Sequence, residues 1–302
     1  MIRVIKTIKL LSVFIFITQL SFTSNKELLS ESGKVVNLSK PHTRIISLYG
    51  AHTDVLINIG GKENLVGVDK SSADLGIEVF SYKDSVEKFL SAKPDLILIR
   101  PMIRDRFSGL IRSLKNANLT VVTIKPTKFE ELDNYWLTLG RLSGHEKEAI
   151  QYTDDFHMNL AELRAKADSI PVQERKTVFF EARHKTNQTT SLEGIPAYIL
   201  GVLDIDNIAY DAVPAKKGSS VADFPKELLL SRGEEIDVYL AQYGAMNRPT
   251  VDIIKKAPGY KAIRAIREGE IYIIDEYDVS RPTNGLLDGI KEIGHIVYPK
   301  YF

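Results

Sequence analysis

Short runs of continuous apolar residues alternate with helix-patterned segments twice along this 302-residue chain, and one long helical stretch separates the two series. That alternation is what most limits the fold. In the first series Arg44-Ile45-Ile46-Ser47-Leu48, Leu65-Val66-Gly67-Val68, Asp95-Leu96-Ile97-Leu98-Ile99 and Leu119-Thr120-Val121-Val122-Thr123-Ile124 read as strands. Residues 53–59 and 107–117 carry helical patterns between them, and Gly60-Gly61 is read as a helix stop, not a phosphate loop, because it follows a helix. The series restarts with Thr177-Val178-Phe179-Phe180, Ile236-Asp237-Val238-Tyr239-Leu240 and Glu270-Ile271-Tyr272-Ile273-Ile274 as strands, and residues 194–203 and 285–298 as helices. Strands that are apolar on both faces and separated by helices form parallel sheets covered on both sides.

Between the series, Phe129, Leu132, Trp136, Leu139 and Leu142 keep a helical spacing that ends at Gly144. Ala149, Tyr152, Phe156, Leu160, Leu163 and Ala167 continue it until Pro171. At 1.5 Å per residue the second of these helices would run about 35 Å, enough to join two lobes. The expected architecture is α/β: a lobe over residues 24–144, a bridging helix over 145–170 and a second lobe over 171–302, each lobe built on a central parallel sheet flanked by helices.

Residues 1–23 are expected to be a secretory signal peptide. Arg3, Lys6 and Lys9 precede a short apolar run over 10–17, and Ser21 and Thr23 supply the small side chains that place cleavage after Thr23. The mature protein is therefore expected outside the cytoplasm, in the periplasm. The chain has no cysteine, which removes disulfides, a thiolate nucleophile, Cys-ligated metal and a lipid anchor on an N-terminal cysteine. With 40 Lys+Arg against 39 Asp+Glu there is no basic excess that would draw it to nucleic acid.

Enzyme signatures are scarce: there is no nucleophile elbow, no His-Glu-x-x-His and no phosphate-binding Gly-Lys-Ser/Thr loop, and the six histidines show no metal-ligand spacing. No metal site and no cofactor of the protein's own is expected. The information lies at the carboxyl ends of the strands, where parallel sheets bind ligands. In the first half these ends deliver Tyr49 and His52, Lys70 and Ser71, then Arg100, Met102 and Arg104. In the second half they deliver Glu181, Arg183 and His184, then Gln242, Tyr243, Met246, Asn247 and Arg248, and finally Glu276, Tyr277 and Arg281. Arginine forks on both lips of an inter-lobe cleft suit anionic oxygens, and tyrosines offer stacking faces with polar tips.

The order of these segments resembles the helical-backbone class of periplasmic substrate-binding proteins, which serve ABC importers of iron–siderophores, haem and cobalamin. Arg44–Leu48 with Gly60 and Leu65–Val68 is similar to the family's opening. Ser85-Val86-Glu87-Lys88-Phe89-Leu90-Ser91-Ala92-Lys93-Pro94-Asp95-Leu96-Ile97 resembles its short helix leading into a Lys-Pro-Asp-Leu strand. Phe224-Pro225-Lys226-Glu227-Leu228-Leu229 before Ile236-Asp237-Val238 resembles the second-lobe counterpart, and Pro258–Gly269 the closing segment. The resemblance implies two lobes with small opening motions, a monomer, and a permease with its cytoplasmic ATPase as partners. It also implies a docking glutamate on each lobe, matched here by Glu87 and Glu227.

The ligand does not carry over from the resemblance. Arg100 and Arg104 facing Arg183, Arg248 and Arg281, with Tyr49, Tyr243, Tyr277 and Met246, fit a ferric siderophore with carboxylate or catecholate oxygens best. Haem, with His52, His184 or a tyrosine on iron, comes next, and cobalamin follows. An exported enzyme using Glu181 or Asp275 in the same cleft, or a sensor of this fold without transported cargo, are the competing readings.

Overall fold

The computed structural model describes residues 28–302 apart from Ser39 and Lys217, so the leader expected over residues 1–23 lies outside the described residues. The chain enters through a two-residue-per-strand hairpin, β1 (Leu28–Leu29) and β2 (Val35–Val36). Its turn docks on the first lobe, where the Glu31 amide donates to the Val121 carbonyl at 2.7 Å and the Thr123 hydroxyl donates to the Glu31 carboxylate at 2.5 Å. The lobe then runs β3 (Ile45–Ser47), α1 (Gly50–Asn58), β4 (Leu65–Val68), α2 (Val86–Ser91), β5 (Leu96–Ile99), α3 (Pro101–Arg106), α4 (Ser108–Asn116) and β6 (Val121–Thr123). Its four strands pair in the order β4-β3-β5-β6, all parallel. Ile45, Ile46 and all four residues of β5 are buried, as strands covered on both faces require.

Two helices follow, α5 (Leu132–Ser143) and the 23-residue α6 (Glu146–Asp168). Gly144 makes the reversal between them with φ of 81°, in the left-handed region that glycine enters without a Cβ penalty. Gly140 lets the helices close on each other, because a Cβ there would run into Ala149.

The second lobe comprises β7 (Thr177–Glu181), β8 (Gln188–Thr190), α7 (Ile195–Val202), β9 (Asp206–Asn207), β10 (Val213–Pro214), β11 (Val221–Asp223), α8 (Lys226–Ser231), β12 (Val238–Tyr243), α9 (Val251–Lys255), α10 (Arg264–Glu268), β13 (Ile271–Asp275), α11 (Glu276–Ser280) and α12 (Leu286–Val297). A second parallel sheet has the order β13-β12-β7-β9. The sequence did not foretell the antiparallel ribbon β10-β11-β8 beside it. Helix α1 begins at Gly50, three residues before the expected start, and this changes which side chains of the segment face the cleft.

One apolar core passes through both lobes. It joins Val55 and Leu98 to Trp136 and Phe156 on the bridging helices, and these to Phe180, Leu240 and Ile290. The Trp136 indole donates to the Pro282 carbonyl at 2.9 Å, and the Tyr152 hydroxyl accepts the Asn284 amide at 2.7 Å. The two α/β lobes are thus joined by one long helix that packs against both.

Candidate functional site

The carboxyl ends of the two sheets face each other across a cleft of about 90 Å³ lined by Tyr49, Arg100 and Lys125 from the first lobe, and Arg183, Met246 and Glu276 from the second. Hydroxyl and amide groups of Thr127, Thr190, Ser220, Gln242 and Ser280 fill in the wall. Larger hollows of about 270 Å³ under the β1–β2 hairpin and about 540 Å³ beside the end of α12 do not gather the carboxyl ends of the parallel sheets, so volume does not pick the site.

Tyr49 leads into α1 and lies buried with its ring under cations. The Arg100 guanidinium is 5.0 Å from the ring centroid and the Lys125 ammonium 5.9 Å. Burial pushes the Tyr49 phenol up to about 12, against the pull of Arg281 and Arg100. Burial lowers Lys125 below the ordinary lysine range, and the Arg100 charge adds to the effect. Arg183 leaves β7 and reaches across its own lobe, donating to the Gln188 amide oxygen and the Met246 sulfur, each at 3.2 Å. The Nε atoms of Arg100 and Arg183 are both buried without an acceptor. Buried guanidinium donors without partners are costly unless an anion completes them. Glu276 faces the cleft, but its carboxylate already accepts the Ala245 amide at 3.0 Å.

Arg281 and Tyr277 sit at one edge of the cleft, not inside it. They line a separate notch with Gly50, Asp54 and Ser71, and the Arg281 guanidinium lies 5.0 Å from the Tyr277 ring. The Tyr277 hydroxyl donates to the Asp54 carboxylate of the opposite lobe. At another edge Lys128 pairs with Glu193 at 2.7 Å, and the Phe129 and Tyr198 rings stack at 3.5 Å.

Several expected site residues lie elsewhere. His52 is fully buried within α1, its Nε2–H donating to the Ile124 carbonyl at 2.8 Å, and burial pushes its pKa down to about 3. It cannot reach a ligand. Arg104 is exposed and paired with its neighbour Asp105 at 2.9 Å, and Tyr243 and Arg248 are exposed outside the lining. His184 turns inward to the Glu181 carboxylate at 2.7 Å, a hydrogen bond that raises its pKa. The enzyme candidates fare no better. Glu181 is 1 % exposed, and Asp275 caps α11 by accepting the Tyr277 amide at 2.8 Å. Among the described residues no cluster of histidine and carboxylate side chains is arranged to hold a metal ion.

Lys125 was missed, although it follows the fourth apolar run directly. The strand-end rule that found Arg100 and Arg183 reaches it once the exit of β6 is read as well.

Two parallel sheets face each other across the cleft, joined by a single helical bridge, with cationic and tyrosine groups at the facing strand ends. The sequence model of the periplasmic binding protein family matches residues 45–277. The chain belongs to that family. An uncharacterized ABC transporter substrate-binding lipoprotein of Bacillus subtilis (strain 168), YvrC, is 25% identical over 281 residues, covering 90% of this chain and 85% of the relative. A possible iron-binding (periplasmic solute-binding) protein from Staphylococcus epidermidis ATCC 12228 superposes with a TM-score of 0.73 at 25% identity, covering 86% of this chain and all of that one. The periplasmic haem-binding protein HutB of Vibrio cholerae gives a TM-score of 0.69 at 18% identity over 85% of this chain and 99% of its own. Periplasmic binding proteins are an extracytoplasmic, substrate-binding class, and among the described residues no helix is long and apolar enough to cross a membrane.

Proposed function

We propose that this periplasmic binding protein captures an anionic metal chelate of the ferric-siderophore type and presents it to the permease of an ABC importer, which its cytoplasmic ATPase drives. One observation carries the reading. Arg100 and Lys125 of one lobe and Arg183 of the other converge on a single cleft, where Glu276 is the only carboxylate among the described lining residues. Each charge-assisted hydrogen bond from these donors contributes about 1.5–3 kcal/mol, so two or three of them dominate the affinity. Relatives described as iron-binding, haem-binding and ABC transporter substrate-binding support the class of cargo.

The metal arrives with its own donors. A phenolate ligand would have to come from Tyr49, whose proton is held more tightly than usual, and neither His52 nor His184 faces the cleft. This favours a siderophore over haem, and the same geometry leaves no carboxylate acid–base pair for an enzyme in the cleft.

Fluorescence titration with a ferric tris-catecholate, a ferric carboxylate siderophore, haemin and cobalamin tests the cargo. The ferric siderophores are expected to bind, with Arg100→Ala, Lys125→Ala and Arg183→Ala each weakening them about tenfold or more. Binding of cobalamin alone, indifferent to these substitutions, overturns the reading. Docking is carried by Glu87 and Glu227, exposed in the first turns of α2 and α8. Reversing both to lysine is expected to impair uptake and leave chelate affinity unchanged, and undiminished uptake removes the role. We further infer a monomer, checked by sedimentation. We also infer release after Thr23, checked by the mass of the exported protein.

A further inference from the structure

The second lobe buries a carboxylate that the cleft does not touch. Glu181 ends β7 at 1 % exposure, and three donors converge on it: the Tyr239 hydroxyl at 2.5 Å, His184 Nδ1 at 2.7 Å and the Asn247 amide at 3.3 Å. Burying a carboxylate is costly unless its oxygens are hydrogen-bonded, and an apolar residue would pack at this sheet end at lower cost. The partners show what the arrangement holds in place.

Asn247, 6 % exposed, also donates to the Gln242 carbonyl at 2.9 Å, and its side-chain oxygen accepts the His184 amide at 3.0 Å. Its carbonyl accepts the Gly244 amide at 2.7 Å. The 243–248 segment is therefore closed on itself and fastened to the exit of β7. Both fastened pieces carry cleft groups: Arg183 lies between Glu181 and His184, and Met246 precedes Asn247. They meet where the Arg183 guanidinium donates to the Met246 sulfur.

We propose that Glu181, His184 and Asn247 form a buried clamp that fixes how Arg183 and Met246 face the cleft, which makes Glu181 a positioning residue for ligand binding. The proposal rests on the cleft being the chelate site. The clamp is also a charge unit. The hydrogen bond to Glu181 raises the His184 pKa, so the pair becomes ionic when His184 is protonated. The other charged or titratable groups around it are Tyr239 on β12, Tyr260 in the turn before α10, whose ring lies 5.9 Å from the His184 ring, Lys226 on α8, 5.7 Å from the Tyr260 ring, and Arg183 itself.

Two readouts that need no ligand come first. In Glu181→Gln the NMR-followed titration of His184 is expected to move to lower pH, and amide hydrogen exchange over residues 243–248 is expected to quicken while β12 stays protected. Asn247→Ala is expected to quicken the same amides with Glu181 intact, and it serves should the first variant fail to fold. Unchanged exchange over 243–248 in a folded variant overturns the clamp. Binding of a ferric tris-catecholate complex then tests its purpose. Glu181→Gln is expected to weaken binding about tenfold in the wild-type background and less than about threefold once Arg183 is alanine, because the interaction it supports is already gone. Equal losses in both backgrounds overturn the positioning role. If the wild-type chain binds no probe, the chelate reading fails, and the exchange result alone decides the clamp.

Discussion

His52 shows how a single residue changes meaning with its helix. On sequence it follows a strand and reads as a cleft residue. In the structure α1 starts at Gly50, so His52 lies in its first turn and faces the lobe interior, with Nδ1 lacking a partner. The position has a measurable consequence. Burial holds the folded-state pKa at about 3, against an ordinary 6.5. Between those values the unfolded chain binds a proton that the folded chain refuses, so the stability His52 contributes is present above pH 6.5 and is lost as the pH falls toward 3. His52→Gln, which keeps a donor for the Ile124 carbonyl, is expected to flatten the loss of urea midpoint between pH 7 and pH 4. Parallel acid profiles for the two proteins would show that the imidazole is not buried neutral. Cleft-lining residues were legible where a strand end alone decides direction, as at Tyr49, Arg100 and Arg183. They were not legible where helix phase decides, as at His52, or where a tertiary partner draws the side chain away, as Asp105 does for Arg104 and Glu181 for His184.

At the scale of elements, legibility followed hydrophobic continuity. Val121-Val122 and Ile97-Leu98 have to be strands covered on both sides, Gly144 ends α5 in the left-handed region and Pro171 forbids α6 to run on, both by backbone chemistry. The ribbon β10-β11-β8 carries no such signal, because its strands are two or three residues long and β8 is Gln188-Thr189-Thr190. Helix α6 is more than a tether. Phe156 on it is almost fully buried, with its ring 4.9 Å from Trp136, inside the core that both lobes share. Phe156→Ala is expected to cost about 3–5 kcal/mol. Because the core is continuous, the loss is expected in one cooperative urea transition that tryptophan fluorescence and far-UV circular dichroism report together. Two separated transitions would show that the lobes fold independently and that α6 belongs to one of them.

At the scale of the whole molecule, the cleft is smaller than the chelate proposed for it would need. Ligand pockets run to about 300–1,000 Å³, and the space between these lobes is about 90 Å³. If the cleft takes a chelate as proposed, the lobes have to part, yet the bridging helix offers no flexible strand to absorb a wide rotation. The contacts at the cleft edges set the balance. The Tyr277–Asp54 hydrogen bond, the Lys128–Glu193 pair and the Phe129–Tyr198 stack join the lobes away from the bridge. The exposed ion pair contributes about 0–1 kcal/mol. The tyrosine–carboxylate contact is half-buried and charge-assisted, so it holds more strongly. A double variant, Asp54→Asn with Tyr277→Phe, is therefore expected to shift the ligand-free population toward an open form. Its radius of gyration in solution scattering should rise slightly above wild type and return on adding a bound ferric siderophore, while the melting temperature changes little. Association with the chelate should quicken, because fewer molecules are shut when the ligand arrives. An unchanged scattering profile would place the closing force elsewhere on the lobe interface, and a large expansion would show that α6 itself bends.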